Sequence, residues 1–256
     1  MNRLINAIIR SIYIFCYSLK LMRTKEWFLF WFSFPPVTTV RLRDIKLQIR
    51  TGSFHEKIVD LYMAVSCIVW KQYEHPGYNN RNSTIIDIGG HIGSFSLWAS
   101  QQAKQVLVFE PDKNNLELLV QNIKINGFKN IIAVNKAVMG TSEKVTLFRN
   151  SKNSAGHSVL FETDNKSEVN SLSLDDLFKE YKIDTCNFMK LDCEGAEFAI
   201  LTKASDETLQ KIERLSMEYH TGYNLNILVE RLVNAGFKIT KNERDTSYQG
   251  QIWAVR

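Results

Sequence analysis

One stretch constrains this chain more than any other: TIIDIGGHIGSFSLWA, Thr84 to Ala99, where a β-branched apolar run leads into glycines and then a helix-like pattern. That order is a strand, a tight turn and a helix, which places a nucleotide at the end of a strand. The rhythm continues through QVLVFE, DKNNLELLVQNIKIN and NIIAVNKAV, so strands and helices alternate and a parallel sheet covered on both faces follows. EKVTLFRNSKNSAGHSVLFETDNKSEVNSL interrupts it with strand, polar loop and strand, an insertion near the active face. The alternation resumes with SLDDLFKEYKI, CNFMKLD, EGAEFAILTKA, IERLSMEYH and NILVERLVNAG, and closes on FKITKNER and GQIWAVR, two strands joined by a short polar turn. A connection that short makes the last strand antiparallel to its partner. The expected fold class is α/β, with a seven-strand, mostly parallel sheet whose last strand is reversed. A dinucleotide-binding domain would stay parallel throughout.

Two segments precede that domain, which spans residues 84–256. In residues 37–83, VTTVRLRDIKLQIRT alternates apolar and polar about Arg43-Asp44 as a β-hairpin, and HEKIVDLYMAVSCIVWKQY follows as a helix before the turn-rich HPGYNNRNS. Residues 1–36 are apolar and aromatic, with Arg3, Arg10, Lys20, Arg23 and Lys25 interspersed. Arg10 and Lys20 cut this extension into runs shorter than the roughly 20 apolar residues of a membrane span. One or two amphipathic helices fit it, packed on the main domain as a lid or dimer contact, or lying on a membrane surface with the basic residues at the headgroups.

The net charge of +5 is modest, and no basic run alternates with aromatics, so no nucleic-acid partner is expected. Cys16, Cys67, Cys186 and Cys193 are scattered, with no Cys-x-x-Cys pair, which suits a reducing, cytoplasmic compartment with membrane contact only through residues 1–36.

A dinucleotide fingerprint needs Gly-x-Gly-x-x-Gly, but here Ile88 holds the first glycine position, leaving Asp87-x-Gly89-x-x-x-Gly93. An acid closing the first strand repels a pyrophosphate but suits the ammonium group of an amino acid. Glu110, closing VLVFE, can accept hydrogen bonds from both hydroxyls of a ribose. Together these suit a nucleoside that carries an amino acid and no phosphate, and S-adenosyl-L-methionine is that molecule.

The order and spacing of DIGGHIG, FEPD, NKAV, SLDDL, MKLDCEGAE and MEYH resemble the FkbM family of S-adenosylmethionine-dependent methyltransferases, over about residues 45–255. The resemblance implies a Rossmann-like methyltransferase fold and O-methylation of a hydroxyl on a sugar, glycan or secondary metabolite. It implies cofactor contacts along the turn from Asp87 through Gly89, Gly90, His91 and Gly93, at Glu110 and at Asn135, Lys136 and Ala137, with Asp192 facing the methionine end. The family's usual turn is Asp-x-Gly-Ala-Asn-x-Gly, so Gly90 replaces an alanine and His91 an asparagine.

Methyl transfer from a sulfonium asks the protein mainly for alignment, with a base needed when the nucleophile is a hydroxyl. Asp192 and Glu194, at the carboxyl end of a central strand, should line the crevice. His220, in MEYH with Glu218, is either the general base, because unperturbed imidazole is free to accept a proton near neutral pH, or a residue that only positions substrate or caps the strand. Glu197 reads as a helix-dipole residue. His157 is either a substrate-selecting or a solvated loop residue. Asp192, Glu194, Glu218 and His220 could ring a divalent cation, but nothing in their spacing demands it, and no metal is expected. Two rival functions are N-methylation of a macromolecule, for which the Asn/Asp-Pro-Pro-Tyr/Phe element is missing, and a non-catalytic cofactor-binding module.

Overall fold

A computed structural model describes residues 11–74, 82–150, 154–159, 162–220, 223–244 and 249–256. A helix over 11–18 (α1) and α2 (Thr24–Phe32) precede the hairpin β1 (Val37–Leu42) and β2 (Ile45–Arg50), and then α3 (Phe54–Ala64), which runs on into a π turn at Val65–Val69. The main domain follows as β3 (Thr84–Ile88), α4 (Ser94–Ser100), β4 (Gln105–Phe109), α5 (Lys113–Asn126), β5 (Ile131–Val134), β6 (Ala137–Met139), β7 (Lys144–Phe148) and β8 (Lys166–Ser173). It ends with α6 (Leu174–Glu180), β9 (Phe188–Leu191), α7 (Glu197–Lys203), α8 (Asp206–Gln210), β10 (Arg214–His220), α9 (Leu225–Asn234), β11 (Lys238–Arg244) and β12 (Gln249–Val255).

The main sheet has the order β11-β12-β10-β9-β3-β4-β5. Its central pairings are parallel, while β12 runs antiparallel to both β10 and β11, so the last strand is reversed and slots between the two strands before it. The expected turn at 245–248 lies outside the described residues, as do 1–10 and most of HPGYNNRNS. The chain builds outward from β3 to β5, then returns to β9 on the other side of β3. Ligands of open α/β sheets bind at such a reversal, beyond the carboxyl ends of the strands.

Alternate strand residues face opposite sides. Ile86, Leu107 and Met189 enter the core shared with α6, α7 and α9, whereas Ile85, Val106 and Phe188 enter a second core with α3, α4 and the hairpin. Ile14, Phe30 and Trp31 of the amino-terminal extension are buried in that second core. Trp27 and Trp31 both donate their indole N–H to Ser18 Oγ, at 2.8 and 2.9 Å, and Lys57 Nζ donates to the Phe30 carbonyl near the end of α2 at 2.6 Å. The extension therefore packs with one face, while Phe28, Leu29, Phe32 and Phe34 stay exposed.

The hairpin is fastened to α5 by side-chain amides: the backbone N–H groups of Lys46 and Gln48 donate to Asn126 Oδ1 and Asn122 Oδ1 at 2.9 and 2.6 Å. This brings Arg50, at the end of β2, to the ligand edge of the sheet.

Two readings of the chain needed refinement. NIIAVNKAV is two strands, broken at Asn135-Lys136, and its second half joins β7 and β8 in a three-stranded sheet, β6-β8-β7, that carries the insertion. The short helix α8, capped by Ser205, was not anticipated.

Candidate active site

The turn after β3 is held from below. Asp87 is fully buried, with Ser96 Oγ donating to it at 2.6 Å and Lys190 Nζ at 3.1 Å, while Lys190 also donates to the Gly89 carbonyl at 2.9 Å. Burial raises the Asp87 pKa against the pull of Lys190, whose own pKa is raised by Asp87 and Asp192 despite burial. Gly89 has φ +84, and a Cβ there would lie 1.8 Å from the Asp192 carbonyl oxygen, so only glycine fits where the β3 and β9 turns touch. His91 follows with φ 50, a left-handed conformation uncommon outside glycine. Gly93, φ +93, closes the turn by donating to the Gly90 carbonyl and starts α4.

Glu110, just past β4, is buried. Its Oε2 accepts from the His91 backbone N–H at 2.8 Å, and its Oε1 accepts from Asp112 N–H at 2.9 Å and Asn115 Nδ2 at 3.3 Å. Burial pushes its pKa up to about 7, against the hydrogen bonds from Asp112, His91 and Asn115. A carboxylate oxygen has two lone pairs, so Oε2 keeps one for a ligand hydroxyl.

The turn after β9 is the second wall. Asp192 accepts from Tyr73 Oη at 2.8 Å, and Tyr73 lies 3.3 Å from Glu218. Glu194 adopts φ 56. Glu197 is fully buried, and accepts from the N–H groups of Cys193 and Gly195 and, at 3.2 Å, from His220 Nδ1. His220 Nε2 faces Glu194 Oε2 at 3.4 Å, with Glu218 at 4.0 Å. Burial alone would lower the His220 pKa, but the Glu197 hydrogen bond and charge, then Glu194 and Asp192, carry it up to about 10. Burial raises Glu194 to about 7, with His220 opposing and Asp192 and Glu197 adding to the rise.

Between these walls lies a partly open cleft lined by Gly89, His91, Glu110, Ala137, Asp192 and Glu194 among others, with apolar lining from Ile88, Phe109 and Val138. An apolar slot between a hydroxyl-accepting carboxylate and an acidic turn fits a nucleoside bearing a cationic amino-acid arm. Glu110 would hold the ribose, Ile88 and Phe109 would flank the base, and Asp192 would face the arm.

Several predicted residues act differently from expectation. Asp87 is a buried anchor for Lys190 and Ser96, with no exposed oxygen for a ligand. Gly90 is a packing position, where a Cβ would lie 2.2 Å from Val108 Cγ2. Asn135 donates to the Glu110 and Pro111 carbonyls at 2.9 Å and so braces the loop that carries Glu110, and Lys136 pairs on the surface with Glu180 at 2.8 Å. His220 is absent from the cleft wall, stands behind Glu194, and is imidazolium at neutral pH, so the free imidazole expected of a base is missing. His157 lines the cleft, with its pKa lowered to about 4 by burial.

Tyr73, Arg50 and Asp60 reach the site from distant parts of the chain, and Lys190, two residues before Asp192, serves the neighbouring turn after β3, so none of the four has a local sequence signal. Glu197 was read only as a dipole residue, although LDCEGAE places its carboxylate within reach of its own turn. Among the described residues, one trio, Asp192, Glu218 and His220, has donor atoms within 4.8 Å of one another, a span that a divalent cation could bridge. Here those carboxylates accept from Tyr73, Gln72 and Gln249.

A sheet of this order with a reversed strand, and a cleft between acid-ended turns, define the Rossmann-like methyltransferase class. The model of the methyltransferase FkbM domain matches residues 87–239, and the chain belongs to that family, whose methyl donor is S-adenosylmethionine. Methyltransferase FkbM from Methylobacillus flagellatus KT is similar in structure, with 16% identity over 78% of this chain and 54% of the other and a TM-score of 0.52. Trm5b from Pyrococcus abyssi is similar over 86% of this chain and 56% of its own, with 12% identity and a TM-score of 0.48. The M. jannaschii tRNA m1G37 methyltransferase aligns over 86% of this chain and 57% of its own, with 14% identity and a TM-score of 0.47. The chain thus spans little more than half the length of these three. No curated protein matches it.

Proposed function

We propose that this chain transfers the methyl group of S-adenosylmethionine to a hydroxyl of a sugar, glycan or small metabolite. The observation that carries the reading is Glu194, a cleft-lining carboxyl with a pKa of about 7, backed by an imidazolium. When bound, the cofactor supplies an electrophilic methyl group. Glu110 and the β3 turn hold the nucleoside, and Asp192, fixed by Tyr73, faces the amino-acid arm. Glu194 accepts the proton of the acceptor hydroxyl, since a base works best with a pKa near the working pH. His220, clamped by Glu197, sets that pKa by stabilising the ionised carboxylate.

Acidic groups at the cleft also favour a neutral or cationic acceptor over a phosphate backbone. The test is radiolabelled methyl transfer to fractionated glycans, small metabolites and RNA. Label should enter a glycan or metabolite fraction and vanish with Glu194→Gln, whereas label in RNA would overturn the acceptor class.

The free thiols suit a cytoplasmic location, and no described helix is long and apolar enough to cross a membrane. The exposed Phe28, Leu29 and Phe32, beside exposed Lys20, Arg23 and Lys25, fit contact with an anionic membrane surface. Deleting the extension would uncover the core, so the informative variant is Phe28→Ser with Phe32→Ser. It should lose co-sedimentation with anionic vesicles, and unchanged co-sedimentation would remove that role.

A further inference from the structure

The groups that hold the side chain of His91, in the turn after β3, come largely from outside the matched residues 87–239. Arg50, at the end of the hairpin, places Nη2 2.8 Å from His91 Nε2. The same guanidinium forks onto Asp60 of α3, with Nη2 2.8 Å from Oδ1 and Nε 2.9 Å from Oδ2, and Nη1 donates to Asn115 Oδ1 at 2.8 Å. Asp60 is fully buried, and its Oδ1 lies 2.8 Å from Arg50 Nη2 and 3.4 Å from His91 Nε2, so the guanidinium is its nearest counter-charge.

A guanidinium only donates. Nε2 of His91 is therefore the acceptor, and the proton of the neutral ring sits on the buried Nδ1, which has no hydrogen-bond partner among the described residues. Ser154 Oγ, 3.2 Å from Nε2, lies equally close to Asp60 Oδ1, to which it can give its proton. The backbone N–H of this same residue, in its strained φ 50 conformation, aims Glu110 Oε2.

We infer that Arg50 is a positioning residue for the cofactor. Anchored by Asp60, it locks the tautomer and orientation of His91 and, through the His91 backbone, fixes the Glu110 carboxylate that receives the ribose. The inference rests on the proposed cofactor cleft. An asparagine at position 91 would have no ring to lock. Arg50 therefore matters here because residue 91 is histidine.

Two measurements on the full chain test it. The first is calorimetry with S-adenosylhomocysteine on wild type, Arg50→Met, His91→Asn and the double variant. Arg50→Met should weaken binding about tenfold, and the same change should cost little once residue 91 is asparagine. Arg50→Lys, which keeps the charge and loses the fork, should resemble Arg50→Met. The second is the side-chain 15N spectrum of His91 without ligand, which should show Nδ1 protonated in wild type and a shift toward protonated Nε2, facing Asp60, in Arg50→Met. Equal losses of affinity from Arg50→Met in both backgrounds, or an Nε2-protonated His91 in wild type, would overturn the inference. A folded wild-type protein that binds no S-adenosylhomocysteine would instead remove the cofactor reading beneath it.

Discussion

His91 and His220 are buried almost equally, 7% and 8% exposed, and sit beside the two turns that wall the same cleft, yet their protonation is driven in opposite directions. Burial pushes both toward the neutral ring. At His91, Asp60 opposes that push, but the carboxylate is shared with Arg50, whose own charge disfavours a second cation, and the ring stays neutral. At His220, the nearest groups are Glu197, Glu194 and Glu218, and the ring is held as imidazolium. Burial therefore does not decide what a histidine does in this site; the balance of charge within reach decides it. In the proposed reading, one corner is a hydrogen-bonded mount for the nucleoside and the other a charged pair that moves a proton.

The two corners meet where Gly89 touches Asp192, and the largest effect is expected there. Gly89→Ala forces a Cβ into the Asp192 carbonyl at a positive φ, and should cost about 3 kcal/mol or more, read as a collapse of the melting transition. Next is Glu194→Gln, which should cut methyl transfer about a hundredfold or more while cofactor affinity in calorimetry is kept. A loss of affinity with transfer intact would exchange the roles assigned to the two turns.

Glu197→Gln should act less strongly on rate but reshape its pH dependence. Without that charge the His220 pKa falls toward its ordinary 6.5, and the Glu194 pKa rises as its imidazolium partner is lost. The half-maximal pH for transfer should move upward, and an unmoved profile would detach Glu197 from the proton path.

The smallest effect belongs to Glu110. Ribose hydroxyls favour its ionised form, so binding should lower a pKa of about 7, release a proton at neutral pH and strengthen as pH rises toward that value. Calorimetry in buffers of different ionisation enthalpy reads this directly, and Glu110→Gln should abolish it.

Much of this was legible in the chain. Strand and helix periods located nearly every element of the main sheet, and the reversed last strand followed from one short connection. The glycine turn and the position of Glu110 at the cleft were legible because their signals are local, a tight turn and an acid at a strand end. What escaped was set by contacts far apart in sequence. Asp87 looked like a ligand residue because Lys190, which occupies it, lies on another strand. His220 looked like a free base because Glu197, whose carboxylate holds it as imidazolium, sits on a helix whose amino terminus offered a simpler role. Arg50 was invisible, since only the amide pairing of β2 with α5 carries the hairpin to the cleft.

The contrast between the two histidines is tested most directly by following the side-chain nitrogens of His91 and His220 by NMR as pH is raised. The raised pKa of His220 contributes stability that is complete below the ordinary value of 6.5, declines as pH rises from there and is gone above about 10. At about pH 8 His220 should still carry protons on both nitrogens while His91 is neutral. A His220 that titrates near its ordinary value, in step with His91, would contradict the charge arrangement on which the assignment of Glu194 as base depends.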